Sequence, residues 1–239
     1  NIVRRIAEVA AVDDRDVVEI GAGTGTLTVE LAARARRVVA YEIDEALRPV
    51  LTGSLGGLEN VEVRYRDAAK VDLSVELGEG PWTLVANLPY NVGTGIVLDA
   101  LQSVLAIDRF VVMVQQEVAD RMLATKGSKT YGIPSVVVGL HAEGRVEITV
   151  PPQVFEPPPK VDSAVVVLDR ITAPVEAGRA IALATAGFGQ RRKMLRRSLS
   201  AIVDAPTSVI ERAGFEGTMR AEELDPIDYV ALARAEGQG

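Results

Sequence analysis

The most constraining feature of this 239-residue chain is a glycine-rich stretch, Gly21-Ala22-Gly23-Thr24-Gly25. It sits where a β-branched run, Asp16 to Ile20, gives way to a helical pattern from Thr26 to Arg36. Glycine adopts left-handed backbone freely and lets the chain come close to a ligand at a helix start. Alone the signal is weak, because glycines at a strand end also serve simply to make a tight turn. The dinucleotide spacing G-x-G-x-x-G is not met: position 26 is threonine and the third glycine comes one residue early.

The flanking pattern sets the fold class. Short β-branched runs at Asp16–Ile20, Arg37–Tyr41, Val61–Tyr65, Trp82–Ala86 and Phe110–Val114 alternate with helical periodicity. That alternation predicts a mostly parallel sheet covered by helices, an α/β architecture. Two further runs, Arg145–Val150 and Ala164–Leu168, bring the strands to seven. They flank a stiff, proline-rich loop carrying Phe155, and suit an antiparallel pair at the sheet edge. Tyr131–His141 reads as a helix, with Pro134 near its start. After Ile171 no β-rich run follows, so the chain divides into a domain over 1–171 and a small helical domain over 172–239.

Successive strand ends carry polar groups. Glu42 ends the second strand, where an acid accepts hydrogen bonds from both hydroxyls of a ribose, and Asp44 is placed to cap the helix that follows. Asp67 ends the third strand, within reach of the exocyclic amine of an adenine ring, and Asn87 ends the fourth. Any one of these is ordinary as a helix cap or surface residue. Together with the glycine loop they form the crevice at the carboxyl edge of a parallel sheet, the place where this fold class binds ligands. The pattern is a nucleoside-binding edge.

Asn87-Leu88-Pro89-Tyr90 adds chemistry. Read plainly it is a turn capping the helix that begins near Val92. That reading leaves unexplained an aromatic ring directly after proline at the mouth of the crevice. An adenine amine is a poor nucleophile because its lone pair is delocalised into the ring. Two acceptors on its two N–H bonds, the Asn87 side-chain oxygen and the Leu88 carbonyl, pull the nitrogen toward tetrahedral geometry and aim the lone pair at an electrophilic methyl. Pro89 fixes the backbone that presents them, and Tyr90 stacks on the extruded base. The proton becomes acidic only after transfer, so neither a base of unusual pKa nor a metal is required. The single histidine, His141, lies on the predicted helix as a structural residue, and with no cysteine there is no disulfide or zinc–cysteine site.

These segments carry a resemblance. Glu19-Ile20-Gly21-Ala22-Gly23-Thr24-Gly25-Thr26-Leu27-Thr28, Asn87-Leu88-Pro89-Tyr90-Asn91 and Phe188-Gly189-Gln190-Arg191-Arg192-Lys193 resemble the ribosomal RNA adenine dimethyltransferase family. So do Gln115-Gln116-Glu117-Val118-Ala119, Ser128-Lys129-Thr130-Tyr131-Gly132, Pro157-Pro158-Pro159-Lys160-Val161-Asp162-Ser163-Ala164-Val165 and Arg220-Ala221-Glu222-Glu223-Leu224. The last three are closer to the small-subunit enzyme than to its large-subunit, macrolide-resistance relatives. The resemblance implies a Rossmann-like class I methyltransferase domain followed by a helical domain. It implies S-adenosylmethionine as cofactor, with contacts at Gly21, Ala22, Gly23, Gly25, Glu42, Ile43, Asp67, Ala68 and Asn87. The catalytic set it implies is Asn87, Leu88, Pro89, Tyr90 and Phe188. The implied reaction is N6-dimethylation of two adjacent adenines near the 3′ end of small-subunit rRNA, late in ribosome assembly. In the family, loss of that mark accompanies kasugamycin resistance. Members carry a Gly-Gln-Asn-Phe-type segment that closes over the cofactor; the present sequence starts at Asn1, where the family's first helix would begin. Two other readings are large-subunit rRNA as substrate and an assembly factor that keeps the fold without turnover.

The RNA side is read from charge. Net charge is −7, yet between Ala177 and Val203 there is no acidic residue, while Arg179, Arg191, Arg192, Lys193, Arg196 and Arg197 are basic. Such a run is either a solvated helix face or a phosphate-binding patch. As the latter, Arg191, Arg192, Lys193, Arg196 and Arg197 start a helix that meets phosphates. Phe188, between Gly187 and Gly189, is either a helical core residue or a loop ring that sandwiches the target adenine against Tyr90. Residues Asn1–Ala11 read as an amphipathic helix, not a signal peptide, and no run approaches a membrane span. The expectation is a cytoplasmic monomer acting on the small ribosomal subunit, away from membranes.

Overall fold

A computed structural model describes residues 2–87, 93–155 and 158–238. In chain order its elements are α1 (Ile2–Ala10), β1 (Asp16–Ile20), α2 (Thr26–Ala32), β2 (Arg37–Glu42), α3 (Arg48–Leu55), β3 (Val61–Tyr65), α4 (Leu73–Leu77) and β4 (Trp82–Asn87). There follow α5 (Gly93–Ser103), β5 (Ile107–Gln115), α6 (Gln116–Met122), α7 (Ile133–His141), β6 (Ala142–Val150) and β7 (Ser163–Arg170). The chain ends in α8 (Ala177–Gly189), α9 (Leu195–Ser198), α10 (Pro206–Arg212) and α11 (Pro226–Glu236).

The seven strands form one sheet in the order β3-β2-β1-β4-β5-β7-β6. The ladders β1–β2, β2–β3, β1–β4 and β4–β5 are parallel, and β5–β7 is antiparallel. The chain therefore winds outward from β1 to β3 and returns to place β4 beside β1. That reversal opens a crevice at the carboxyl ends of β1 and β4. Strands β1, β2 and β4 are buried along nearly their whole length, which is why they read as unbroken apolar runs. On one face Ile6 of α1 and Leu27 and Leu31 of α2 pack with Val85, Val111 and Val167. Helix α1 is amphipathic as expected, burying Ile6, Ala7 and Ala10.

Packing divides the chain into two compact units. One comprises residues 1–119 and 144–170, and the other comprises 120–143 and 171–239. The C-terminal break falls between residues 170 and 171. The segment 120–143, expected in the first domain, belongs with the C-terminal helices. Tyr131, Val136 and Leu140 share a buried cluster with Leu183, Leu195 and Tyr229, so the hydrophobic partners of α7 lie far along the chain. A linear reading has no access to that partnership.

Within the first unit, Arg170 at the end of β7 closes the C-terminus of α5. Its guanidinium donates to the carbonyls of Leu101 at 2.7 Å, Val104 at 3.0 Å, Ala100 at 3.1 Å and Ile107 at 2.5 Å. Ala100 and Leu101 lie in the last turn of α5, Val104 directly follows it and Ile107 opens β5, so one side chain gathers the whole turn between helix and strand. Arg170→Ala is expected to destabilise the protein by about 3 kcal/mol, since several charge-assisted bonds vanish and their acceptors stay poorly solvated. Urea unfolding followed by the fluorescence of Trp82 measures it.

Candidate active site

The loop after β1 is shaped by its glycines. Gly21, Gly23 and Gly25 have φ of 81°, 57° and 83°, values that other residues adopt at a cost. The amides of Gly21 and Ala22 both donate to the Tyr41 carbonyl, at 2.8 and 3.1 Å, pinning the loop to β2. A Cβ on Gly25 would lie 2.9 Å from Ser54 Oγ and 3.1 Å from a Leu51 methyl, whereas at Gly23 it would meet open space. Gly25 thus allows close packing behind the loop, and Gly23 keeps the space in front of it clear. At the end of β2, Glu42 is only 6% exposed. Its Oε2 accepts the Gly23 amide at 2.8 Å and its Oε1 the Asp44 amide at 2.9 Å. Each oxygen keeps further accepting capacity for a ligand hydroxyl.

A cavity of about 630 Å³ opens over the crevice between β1 and β4. Gly21, Gly23, Glu42, Ile43, Asp67, Ala68 and Asn87, all candidate cofactor contacts, line it. The volume lies within the range of small-molecule and cofactor sites. Two of the candidate contacts are placed elsewhere. Ala22 and Gly25 are absent from the lining: Ala22 is buried with Ala40, Leu51 and Leu55 on the far side of the loop, and Gly25 packs against α3. The catalytic candidates Leu88, Pro89 and Tyr90 lie outside the described residues. Asp67 caps the short turn after β3, accepting the Ala69 amide at 3.0 Å, with Lys70 Nζ 3.3 Å away. Asp44 likewise caps its turn through the Ala46 amide, the role read from sequence. Sequence reasoning missed Leu47, Met113 and Arg66 in the wall; Phe155, noted only as a loop residue, also faces in.

In the second unit the basic run is rearranged. Helix α8 continues through Gly189, so Phe188 is helical and not in a loop. Its ring packs edge-on against Tyr131, centroids 5.7 Å apart, and beside Tyr229 at 6.5 Å. Aromatic packing outweighs the two flanking glycines. Arg191, Arg192 and Lys193 form a turn, and α9 begins only at Leu195. The Arg191 guanidinium is engaged by Glu222 at 2.7 Å and by the carbonyls of Tyr131 and Lys129 at 3.0 and 3.3 Å, and it stacks over Phe188. Arg191 ties three segments of the unit together. Arg179 is paired with Glu236. By contrast Arg192, Lys193, Arg196 and Arg197 surround a cavity of about 500 Å³ with Arg220, and among the described residues none of these five is in an ion pair. Arg220 was legible only as the head of the Arg220-Ala221-Glu222-Glu223-Leu224 tail; no charge run marks it.

The chain is similar to known proteins. Residues 1–234 match the ribosomal RNA adenine dimethylase family. The chain belongs to that family. It is 43% identical to the ribosomal RNA small subunit methyltransferase A of Rhodospirillum rubrum, over 98% of this chain and 83% of the relative. Identity to the protein of that name from Geobacillus thermodenitrificans is 39%, over 98% and 86% of the two chains. Among solved structures it is similar to a dimethyladenosine transferase from Plasmodium falciparum, with TM-score 0.81 and 25% identity over 97% of this chain and 93% of that one. It is also similar to the 23S rRNA methyltransferase ErmE, with TM-score 0.75 and 27% identity over 99% and 97%. The sheet order, with its antiparallel β7, is thus the class I methyltransferase fold.

One buried group of this adenine dimethylase lies just behind the cavity. Glu19 in β1 is fully buried, and neither its carboxyl oxygens nor Thr28 Oγ1 has a hydrogen-bond partner. Burial pushes its pKa from an ordinary 4.5 to about 8; the nearby Thr28 hydroxyl opposes this and the Glu42 charge adds to it. The folded protein holds this proton up to near pH 8, while the unfolded chain loses it near 4.5. Stability contributed by the neutral acid is therefore complete below pH 4.5 and is lost as pH rises to about 8, on the order of 5 kcal/mol in all. Glu19→Gln, neutral at every pH, is expected to flatten the fall of melting temperature across that window. A parallel decline in parent and variant would show that the carboxyl is already ionised.

Proposed function

We propose that this chain transfers methyl groups from S-adenosylmethionine to N6 of two adjacent adenines near the 3′ end of small-subunit rRNA, yielding N6,N6-dimethyladenine during subunit assembly. The observation that carries it is the cavity at the β1/β4 reversal, lined by Glu42, Asp67 and Asn87 from the ends of three strands. Such a set suits a nucleoside with an amino-acid tail. Glu42 holds the ribose hydroxyls, and Asp67 accepts from the amino group of the adenine ring. Ile43, 68% exposed at the rim, is available to cover the face of that ring. The greater identity to small-subunit enzymes than to ErmE favours small-subunit over large-subunit rRNA.

The cofactor, when bound, supplies an electrophilic methyl carried on a sulfonium sulfur. The protein's part is to orient the acceptor amine. On this reading the side-chain oxygen of Asn87, a residue of the cavity wall, takes one N–H of the target adenine and the Leu88 carbonyl takes the other. Fixing both bonds directs the nitrogen lone pair toward the methyl, a gain from orientation rather than from acid–base strength. The proton leaves to solvent after transfer, once methylation has made it acidic. Incubation with labelled cofactor and unmethylated small subunits, followed by nucleoside analysis, is expected to yield dimethyladenosine. Asn87→Ala should lower turnover roughly a hundredfold or more while RNA affinity is kept; unaltered turnover removes the motif from the mechanism.

RNA is bound, on this reading, by the unpaired cations of the second unit. Its specific arms are Arg192, Lys193, Arg196 and Arg197, joined by Arg220, while Arg191 serves the packing of the unit. Each phosphate neutralised releases counterion, so the logarithm of affinity falls with the logarithm of salt by about 0.7–0.9 per contact. Replacing Arg192, Lys193 and Arg196 by alanine should flatten that slope by roughly two to three. An unchanged slope in filter-binding titrations returns the patch to inert surface.

A further inference from the structure

The cavity wall contains an arginine directly before one of its acceptors: Arg66, next to Asp67. A guanidinium free to swing there would pair with Asp67 or Glu42. A carboxylate so engaged is a weaker acceptor for a ligand hydroxyl or amine. In the structure the Arg66 guanidinium is instead paired with Glu76 of α4. Its Oε1 accepts from Arg66 Nη1 at 2.5 Å, and its Oε2 accepts from Arg64 Nη1 at 2.8 Å and from Tyr41 Oη at 3.4 Å. Tyr41 also lines the cavity, and Arg64 donates to its hydroxyl at 3.0 Å. One carboxylate therefore restrains both Arg66 and Tyr41 in the wall. Helix α4 does not need Glu76 for its own attachment: Leu73 and Leu77 are buried, and Asp72 caps its start through the Ser74 amide.

We propose that Glu76 is a positioning residue for cofactor binding, withholding Arg66 from the cavity carboxylates and fixing Tyr41 in place. The inference rests on the reading of this cavity as the S-adenosylmethionine site. Its role is in the occupancy of the site and not in the transfer step. The arginine it restrains is the hazard, so removing both residues should undo the harm of removing one.

Calorimetric titration of the whole chain with S-adenosylmethionine tests this. Glu76→Ala is expected to weaken binding about tenfold, the worth of one charge-assisted pairing of Asp67 or Glu42 by the released guanidinium. KM for the cofactor should rise with kcat little changed, and RNA affinity should hold. The double variant Arg66→Ala/Glu76→Ala should recover most of the affinity, a result that a merely structural strut would not produce. Thermal unfolding checks that each variant is folded; should Glu76→Ala fail to fold, Glu76→Gln, which keeps one acceptor and loses the charge, should show an intermediate loss that Arg66→Ala again relieves. Binding by Glu76→Ala within twofold of the parent overturns the inference, as does a double variant as weak as the single one. A parent chain that binds no cofactor overturns the cavity assignment itself, and the inference with it.

Discussion

The carboxylate of Glu42, bound by the amides of Gly23 and Asp44, holds the site together. It joins the loop after β1 to the turn after β2, while the Tyr41 carbonyl fastens the same loop from the next residue along. A buried carboxylate is costly unless its oxygens are satisfied. Here two backbone amides satisfy it from the protein side, and its remaining capacity faces the cavity. The glycines follow from this. With φ positive at 21, 23 and 25, the loop turns tightly enough for its amide to reach Glu42 without filling the space a ligand takes.

Around that point the charges are sorted by whether they have partners. Arg66, Arg64 and Tyr41 converge on Glu76, and Arg191 is spent on Glu222 and backbone carbonyls. Arg66 stands in the cavity wall and Arg191 in the basic run, yet both are engaged within the protein. The cations around the second unit's cavity have no such partners among the described residues, which leaves their charge to act outward. In an acidic protein this concentrates attraction for phosphate in one place and discourages indiscriminate contact elsewhere. Glu19 is the converse case: a buried acid that stays neutral because desolvation outweighs what the nearby Thr28 hydroxyl offers its charged form.

Much was readable beforehand, and the reason is local. Strands buried on both faces must be continuous apolar runs, and parallel strands must carry their polar residues at the carboxyl ends. Glu42, Asp67 and Asn87 were legible for that reason, and the cavity contains all three. The placements that the sequence left open depended on distant partners. Phe188 was ambiguous between helix and loop because Tyr131 and Tyr229, which hold it in α8, lie 57 and 41 residues away. Arg191 looked like its basic neighbours because its carboxylate partner, Glu222, belongs to the tail segment.

Sequence alone, then, determined the strand-and-helix alternation, the row of polar groups at the strand ends and the family, since each is carried by residue types at short spacing along one stretch of chain. Tertiary structure decided which side chains are free to meet a ligand. It set Ala22 and Gly25 behind the loop, joined 120–143 to the helical unit, engaged Arg66 with Glu76 and left Arg220 beside Arg192. The physical reason is that a charge or ring is committed by whatever lies within a few ångströms of it, and for these residues that neighbour is supplied by another part of the fold.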